Sequence, residues 1–326
     1  MSFMRTLLAA RNEPAARKAG VRRIRSSTLI KFYGVRGSVP TPGPATVRYG
    51  GNTSCIEVRT EGQIIILDAG TGLRLLGRDL QAEFAHQPLD LTLLLTHTHW
   101  DHIQGLPYFL PVYQPQNQLR ILGPEGARIS LENVLSTQFE SPYFPIGLRQ
   151  VPANIKIEEF KDLTFCLGSV QVQAFFAFHP GICVGYRLSM AGTSLAFFPD
   201  NEIRQAPNRP AAAKGAGRKF ARAENQKLAE FLRGTEVLIM DTQYDRAEYE
   251  QHMGWGHGCL DDVVALASEA EVKRLFLFHH DPDHDDDKIS QMIAHARRQA
   301  AASKSKLQVE AAREGMAVQV PRAGKG

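Results

Sequence analysis

The feature that most constrains this chain is a cluster at the end of an apolar run. Residues 91–96 read Leu-Thr-Leu-Leu-Leu-Thr and pass without interruption into His97-Thr98-His99-Trp100-Asp101-His102, three imidazoles and one carboxylate within six positions. An apolar run of that length is a buried strand, so the cluster occupies the loop at the strand's end. Side chains alternate on an extended segment, which puts His97 and His99 on the same side. Asp101 and His102, past the turn, can aim at a second point close by. Neutral imidazole and carboxylate are ligands of zinc, manganese and iron(II). The fold must therefore bring further donors to this loop.

Other apolar segments rich in β-branched residues and Phe recur at 29–35, 55–58, 63–67, 119–122, 170–178, 184–188, 194–198, 237–240 and 274–278, and a closing hairpin is expected over 308–320. Periodicity of 3.6 predicts helices over 73–84, 129–137, 226–232, 260–270 and 288–301. Some strands alternate, as in Val170-Gln-Val-Gln-Ala174, while others, such as Leu275-Phe-Leu277, are solidly apolar. That combination implies two mixed β-sheets, each with a buried face, and helices outside them. The expected class is α/β, a four-layer αβ/βα sandwich. With no repeat and no linker, residues 28–322 form one expected domain, preceded by a basic extension over 1–27 and interrupted by a basic insertion at 204–223.

The net charge of +4 would suggest nucleic acid until it is located. Residues 1–27 hold seven cations against one acid, and 204–223 hold six with none, so the remaining body is acidic. An acidic body suits a domain that gathers carboxylates around cations, and the basic segments, rich in Ala, Pro and Gly, read as solvated additions. Four scattered cysteines with no CxxC pair read as reduced thiols, which points to the cytoplasm. The first 27 residues have an Arg-rich, transit-peptide flavour but lack the apolar stretch and cleavage site of a secretory signal. No apolar run is long enough to span a bilayer, so no membrane partner is expected.

The pattern His97-x-His99-x-Asp101-His102 resembles the signature of the metallo-β-lactamase superfamily. The resemblance implies a set of further site residues. Gln63-Ile-Ile-Ile-Leu-Asp68-Ala-Gly70 resembles the strand whose terminal aspartate orients the histidine loop, so Asp68 is expected as a support rather than a ligand. His179 resembles the third histidine of the first metal, and Asp200 resembles the aspartate shared between two. The last ligand follows 275–278, where His279 and His280 both stand; the superfamily's habit of using the first residue past the strand favours His279. The implied cage places His97, His99 and His179 on one ion, Asp101, His102 and His279 on the other, and Asp200 between them. Two divalent ions are implied, zinc first, with manganese or iron open, and a bridging hydroxide as nucleophile. All seven positions are filled, which argues against a non-catalytic ligand-binding module.

Phe32-Tyr-Gly-Val-Arg-Gly37-Ser-Val-Pro40, Tyr49-Gly-Gly-Asn52-Thr-Ser-Cys55 and the segment from His257 to His279 resemble the phosphodiesterase branch, which includes tRNase Z and the phosphonate-operon cyclic phosphodiesterase. On that likeness, which runs from about residue 29 to about 287, His257 is the proton donor to the leaving group and joins Asp101 and Asp68 in the expected catalytic set. Asn52 is open between substrate contact and turn formation. The chain departs from the branch in lacking the long glycine- and proline-rich arm of tRNase Z, and its basic insertion follows Asp200 instead. Residues 281–287 could mimic a third metal site or open a helix, and an acidic helix start is preferred. The implied activity is hydrolysis of a small cyclic or linear phosphodiester, a cyclic nucleotide first, by a homodimer. The alternatives are a glyoxalase II-like thioester or lactone hydrolase and a tRNase Z-like ribonuclease, for which the insertion at 204–223 could follow an RNA backbone.

Overall fold

In the computed structural model the apolar segments assemble into two seven-stranded sheets. The description covers residues 27–321, except 86, 127, 191 and 206–210, with side chains also left aside at 211–216. The extension over 1–26 and the centre of the basic insertion lie outside the described residues.

The first sheet runs, in spatial order, β14 (Ala317–Val320), β1 (Thr28–Gly34), β2 (Cys55–Thr60), β3 (Gln63–Leu67), β4 (Asp90–Leu94), β5 (Gln118–Pro124) and β6 (Asn154–Phe160). The second runs β13 (Gln308–Ala311), β12 (Arg274–Phe278), β11 (Val237–Asp241), β10 (Thr193–Phe198), β9 (Val184–Met190), β8 (Val170–Phe176) and β7 (Thr164–Leu167). Each sheet has three antiparallel pairings at one end and three parallel pairings at the other. Parallel neighbours need crossovers, usually helical. Here α1 (Leu73–Phe84), α2 (Trp100–Ile103) and α3 (Leu131–Thr137) serve the first sheet, and α4 (Ala211–Leu232), α5 (Arg246–His252), α6 (Leu260–Glu269) and α7 (Asp286–Ala302) the second.

Three apolar layers hold the sandwich together. Between the sheets, Phe32, Val58 and Ile65 pack with Val172, Tyr186, Phe197 and Phe276. Outside the first sheet, Ile66, Leu93 and Ile121 meet Leu73, Leu76 and Leu80 of α1. Outside the second, Leu238 and Met240 meet Val263 and Ala267 of α6 and Ile289 of α7. Strand β11 is apolar from Val237 to Met240 because both of its faces are covered: Ile239 faces the other sheet and its neighbours face the helices. The four-layer αβ/βα sandwich is thus present.

Local expectations differ from the structure in three respects. The segment 308–320 is not a hairpin. β13 closes the edge of the second sheet and β14 that of the first, and the turn between them crosses the end of the sandwich, held by Ala312 N donating to Leu277 O and Gly315 N to Phe32 O. The basic segment, expected as a solvated addition, is helical from Ala211, because its alanines, lysines and arginines are strong helix formers that extend α4. Strands β6 and β7 and helices α2 and α5 lie outside the expected elements: β6 is a half-exposed edge whose Ile155 and Ile157 alternate with charge, β7 is a four-residue edge strand, α2 is a single turn inside the histidine loop, and α5 carries a capping box between Asp245 and Glu248.

The donors all leave the C-terminal ends of strands or the loops just beyond them. Parallel pairing of β3 with β4, and of β10, β11 and β12 with one another, brings those ends to the same rim.

Candidate metal centre

The histidine loop is held from below by Asp68. This residue follows β3 in the left-handed region (φ 59) and is fully buried. Its Oδ1 accepts from Thr96 N at 2.9 Å and Thr96 Oγ1 at 3.0 Å, and its Oδ2 accepts from Ser54 Oγ at 3.0 Å and His102 Nδ1 at 2.7 Å. A carboxylate can only accept, so the hydrogen sits on Nδ1 of His102 and the Nε2 lone pair is left to face inward.

The same device recurs around the site. His179 Nδ1 donates to Gly256 O at 3.0 Å, His279 Nδ1 to Gln243 Oε1 at 2.9 Å and His257 Nδ1 to Asp241 Oδ2 at 3.0 Å. His97 Nδ1 lies 3.1 Å from Thr96 Oγ1, whose own hydrogen is engaged by Asp68. Anchoring one ring nitrogen fixes the tautomer and the ring plane, as metal-ligating histidines require. His99 is the exception: its Nδ1 turns inward, 3.0 Å from His179 Nε2.

Asp200, buried after β10, stands at the centre. Its Oδ2 lies 3.6 Å from His97 Nε2 and 3.5 Å from His179 Nε2, while its Oδ1 lies 3.1 Å from His102 Nε2 and 3.2 Å from His279 Nε2. Asp101 Oδ2 closes the second side at 3.1 Å from His102 Nε2 and 3.2 Å from His279 Nε2. Two separate donor groups result, His97, His99, His179 and Asp200 in one and Asp101, His102 and His279 in the other, with ligand atoms inside each group within 4.8 Å of one another; Asp200, His257 and His279 form a third, overlapping set within the same limit. The set fits divalent cations. His97 Nε2, His102 Nε2 and Asp200 Oδ1 are buried without a hydrogen-bond partner, an arrangement too costly to keep unless something binds there.

The electrostatics agree with that reading. Burial, with His102 adding to it, pushes the His97 imidazole well below its usual range, so it stands neutral as a ligand must. Burial also pushes His99 and His179 down. In the other group burial is overridden: the carboxylates of Asp101, Asp200 and Asp68 hold His102 well above its usual range, and Asp200 and Asp101 raise His279 to about 9. Burial works against ionising Asp200 too, yet His279, His102 and His97 hold its carboxyl well below the carboxylate range.

Of the two candidates after β12, it is His279, at φ 57, that reaches Asp101 and Asp200. His280 turns the other way and donates Nε2 to Ala312 O at 2.9 Å; burial, with help from the nearby Arg36 cation, pushes it down to about 3. His257 lies beside the cage, its ring 5.0 Å from that of His279 and tilted by 18°. Asn52 is spent on structure, with its amide and side chain donating to Glu314. Residues 281–287 open α7: Asp285 caps it through Lys288 N, Asp286 accepts from Arg48 N and Tyr49 N, and no donor group forms there among the described residues.

Sequence reasoning passed over Asp241, Gln243 and Gly256. Asp241 ends the apolar strand Val237–Asp241 just as Asp68 follows Gln63–Leu67, so a carboxylate closing a buried strand was a readable signal. Gln243 and the carbonyl of Gly256 carry no signal, since their role comes only from what the fold sets against them.

A model of the family described as the beta-lactamase superfamily domain matches residues 63–280. A Ribonuclease Z of Thermoplasma acidophilum is 25% identical over 305 residues, covering 84% of this chain and 92% of that protein. Among solved structures, a diphosphatase from the PhnP family superposes with a TM-score of 0.60 at 16% identity, covering 91% of this chain and 99% of the other. The short form of human tRNase Z superposes at 0.57 and 18% identity, covering 90% and 99%. At these identities the structural likeness speaks to the fold.

Proposed function

Because the chain belongs to the beta-lactamase superfamily and is a metal-dependent hydrolase, we propose that it is a two-metal phosphodiesterase whose substrate is a small cyclic or linear phosphodiester, with a cyclic nucleotide first. The observation that carries this reading is the division of Asp200, one oxygen toward His97 and His179 and the other toward His102 and His279. His97, His99 and His179 would hold one ion and Asp101, His102 and His279 the other, zinc being the first choice for a set without sulfur. Bound there, a pair of divalent ions supplies Lewis acidity to the phosphoryl oxygens and lowers the pKa of attacking water.

The chain's own residues supply the rest. Asp68 keeps Nε2 of His102 directed inward. Asp241 holds the Nδ1 hydrogen of His257, which leaves Nε2 to carry the proton that the departing oxygen needs. With a side chain 12% exposed, His257 meets both the site and solvent. A homodimer belongs to the same proposal and is checked by sedimentation.

A second reading, a ribonuclease on longer RNA, is favoured by the length of the match to the Thermoplasma protein and by one feature of this chain. Arg204 stacks 3.9 Å over the Phe178 ring, next to His179, and leads toward exposed Arg218, Lys219 and Arg222 on α4. The two readings separate on a panel of bis-p-nitrophenyl phosphate, cyclic mononucleotides, a short RNA and a glutathione thioester, run on metal-analysed protein beside His99→Ala. Turnover of the small phosphodiesters with a dead control supports the first. RNA cleavage alone, with binding that weakens steeply as salt rises, supports the second. Cleavage of only the thioester overturns both.

A further inference from the structure

The chain has two tryptophans, and both stand exposed beside the cage: Trp100 at 76% and Trp255 at 60%. Isolated exposed apolar side chains are ordinary on a protein surface. These two are set apart by where they sit. Trp100 lies between His99 and Asp101, while Trp255 precedes Gly256, whose carbonyl takes the Nδ1 hydrogen of His179. His99 and His179 are themselves 3.0 Å apart. The two tryptophans are therefore the chain neighbours of the two ends of one run of contacts, His99 to His179 to Gly256, with His99 exposed at the open edge of the site.

Trp255 is also firmly mounted. The carboxylate of Glu202, buried, accepts from Gly254 N at 2.9 Å, Gly256 N at 3.0 Å and Tyr249 Oη at 2.7 Å. Left-handed backbone at Gly254 and Gly256, both φ 90, makes the tight turn that turns the indole outward, and a Cβ on Gly256 would lie 2.7 Å from His179 Nδ1. The indole meets the His252 ring at 4.7 Å and 87°, His252 stacks on Tyr244 at 4.5 Å and 13°, and Tyr244 meets His257 at 6.1 Å and 84°. An aromatic column thus joins the cage to Trp255 and leaves most of the indole to solvent.

We propose that Trp255 and Trp100 are stacking platforms for nucleobases flanking the phosphodiester held at the cage, so that the substrate class is nucleotidic. A π-face on a rigid mount gains most from another flat π-face, and base stacking on aromatic side chains is tolerant of sequence. This rests on the phosphodiesterase reading above.

The test uses metal-loaded protein and two esters with the same leaving group, thymidine 5′-(p-nitrophenyl phosphate) and methyl p-nitrophenyl phosphate, of which only the first carries a base. The wild type should prefer the nucleotide ester in kcat/KM. Either Trp255→Leu or Trp100→Leu, whichever removes the platform that takes the single thymine, should lose about tenfold of that preference, in line with the energy of stacking one base, and phenylalanine at that position should keep most of it. Each single variant leaves one tryptophan, so its fluorescence should be quenched by thymidine 5′-monophosphate. An unchanged preference in both leucine variants, including an equal fall on both esters, overturns the proposal. So does conversion of a dimer to monomers by Trp255→Leu with the preference intact, which would assign the indole to a subunit interface. If the wild type hydrolyses neither ester while the nucleotide still quenches both indoles, the platforms stand and the phosphodiesterase reading falls.

Discussion

The two halves of the cage are built in different ways. The first sheet delivers His97, His99, Asp101 and His102 on one loop after one strand, propped by one carboxylate, Asp68. The second sheet delivers His179, Asp200, His257 and His279 one at a time, each from the end of a different element, and props them separately through Gly256, Asp241 and Gln243. A contiguous loop fixes its donors by local geometry, whereas a dispersed set exists only once parallel strands have brought their ends together. The first half should therefore behave as a unit and the second as separable parts.

The largest effect belongs to Asp200, the residue whose two oxygens face both donor groups. Asp200→Ala should lower turnover by at least about 10³, because several kcal/mol of charge stabilisation by the ions goes with it, and metal content should fall with it. Retained metal and turnover would show that the halves act independently. Next come the two strand-end carboxylates. Asp241→Asn should leave metal content unchanged while lowering kcat by about 10², the scale of a lost general acid. Asp68→Asn should instead weaken metal binding by about 10- to 100-fold. Metal analysis beside kinetics reads both, and identical outcomes would erase the distinction between a prop for a ligand and a prop for a proton donor.

A smaller effect tests how tightly the second half is set. A Cβ on Gly37 would lie 2.3 Å from His279 Nδ1, so Gly37→Ala should displace that ring and remove one ion in preference to the other, as seen by metal titration. The smallest effect is in pH. In metal-free protein His279 is raised from 6.5 to about 9, so the stability it contributes is complete below about pH 6.5 and is lost as pH rises through 9. The difference in Tm between metal-free wild type and His279→Gln should shrink over that window, and a constant difference would contradict the assignment.

The contrast between the halves also explains what could be read beforehand. The helix over 73–84 and the strands 63–67 and 274–278 were legible to the residue, since dense periodic patterns are set locally. So was the density of the 97–102 loop. His179, Asp200 and His279 were reached only by analogy, and Asp241, Gln243 and Gly256 not at all, because nothing near them in sequence marks a residue whose partner is brought by folding. The closing strands misled for the same reason: β13 and β14 look like a hairpin locally and are separated by the open edges that each sheet offers.

The most direct test of the shared cage is metal stoichiometry followed together with turnover. Metal-free protein titrated with zinc under native mass spectrometry should bind two ions per chain, with hydrolysis of bis-p-nitrophenyl phosphate appearing as the second is filled. Asp200→Ala should fail to reach the two-ion state. One ion per chain with full activity, or two ions in Asp200→Ala with activity retained, would contradict the account.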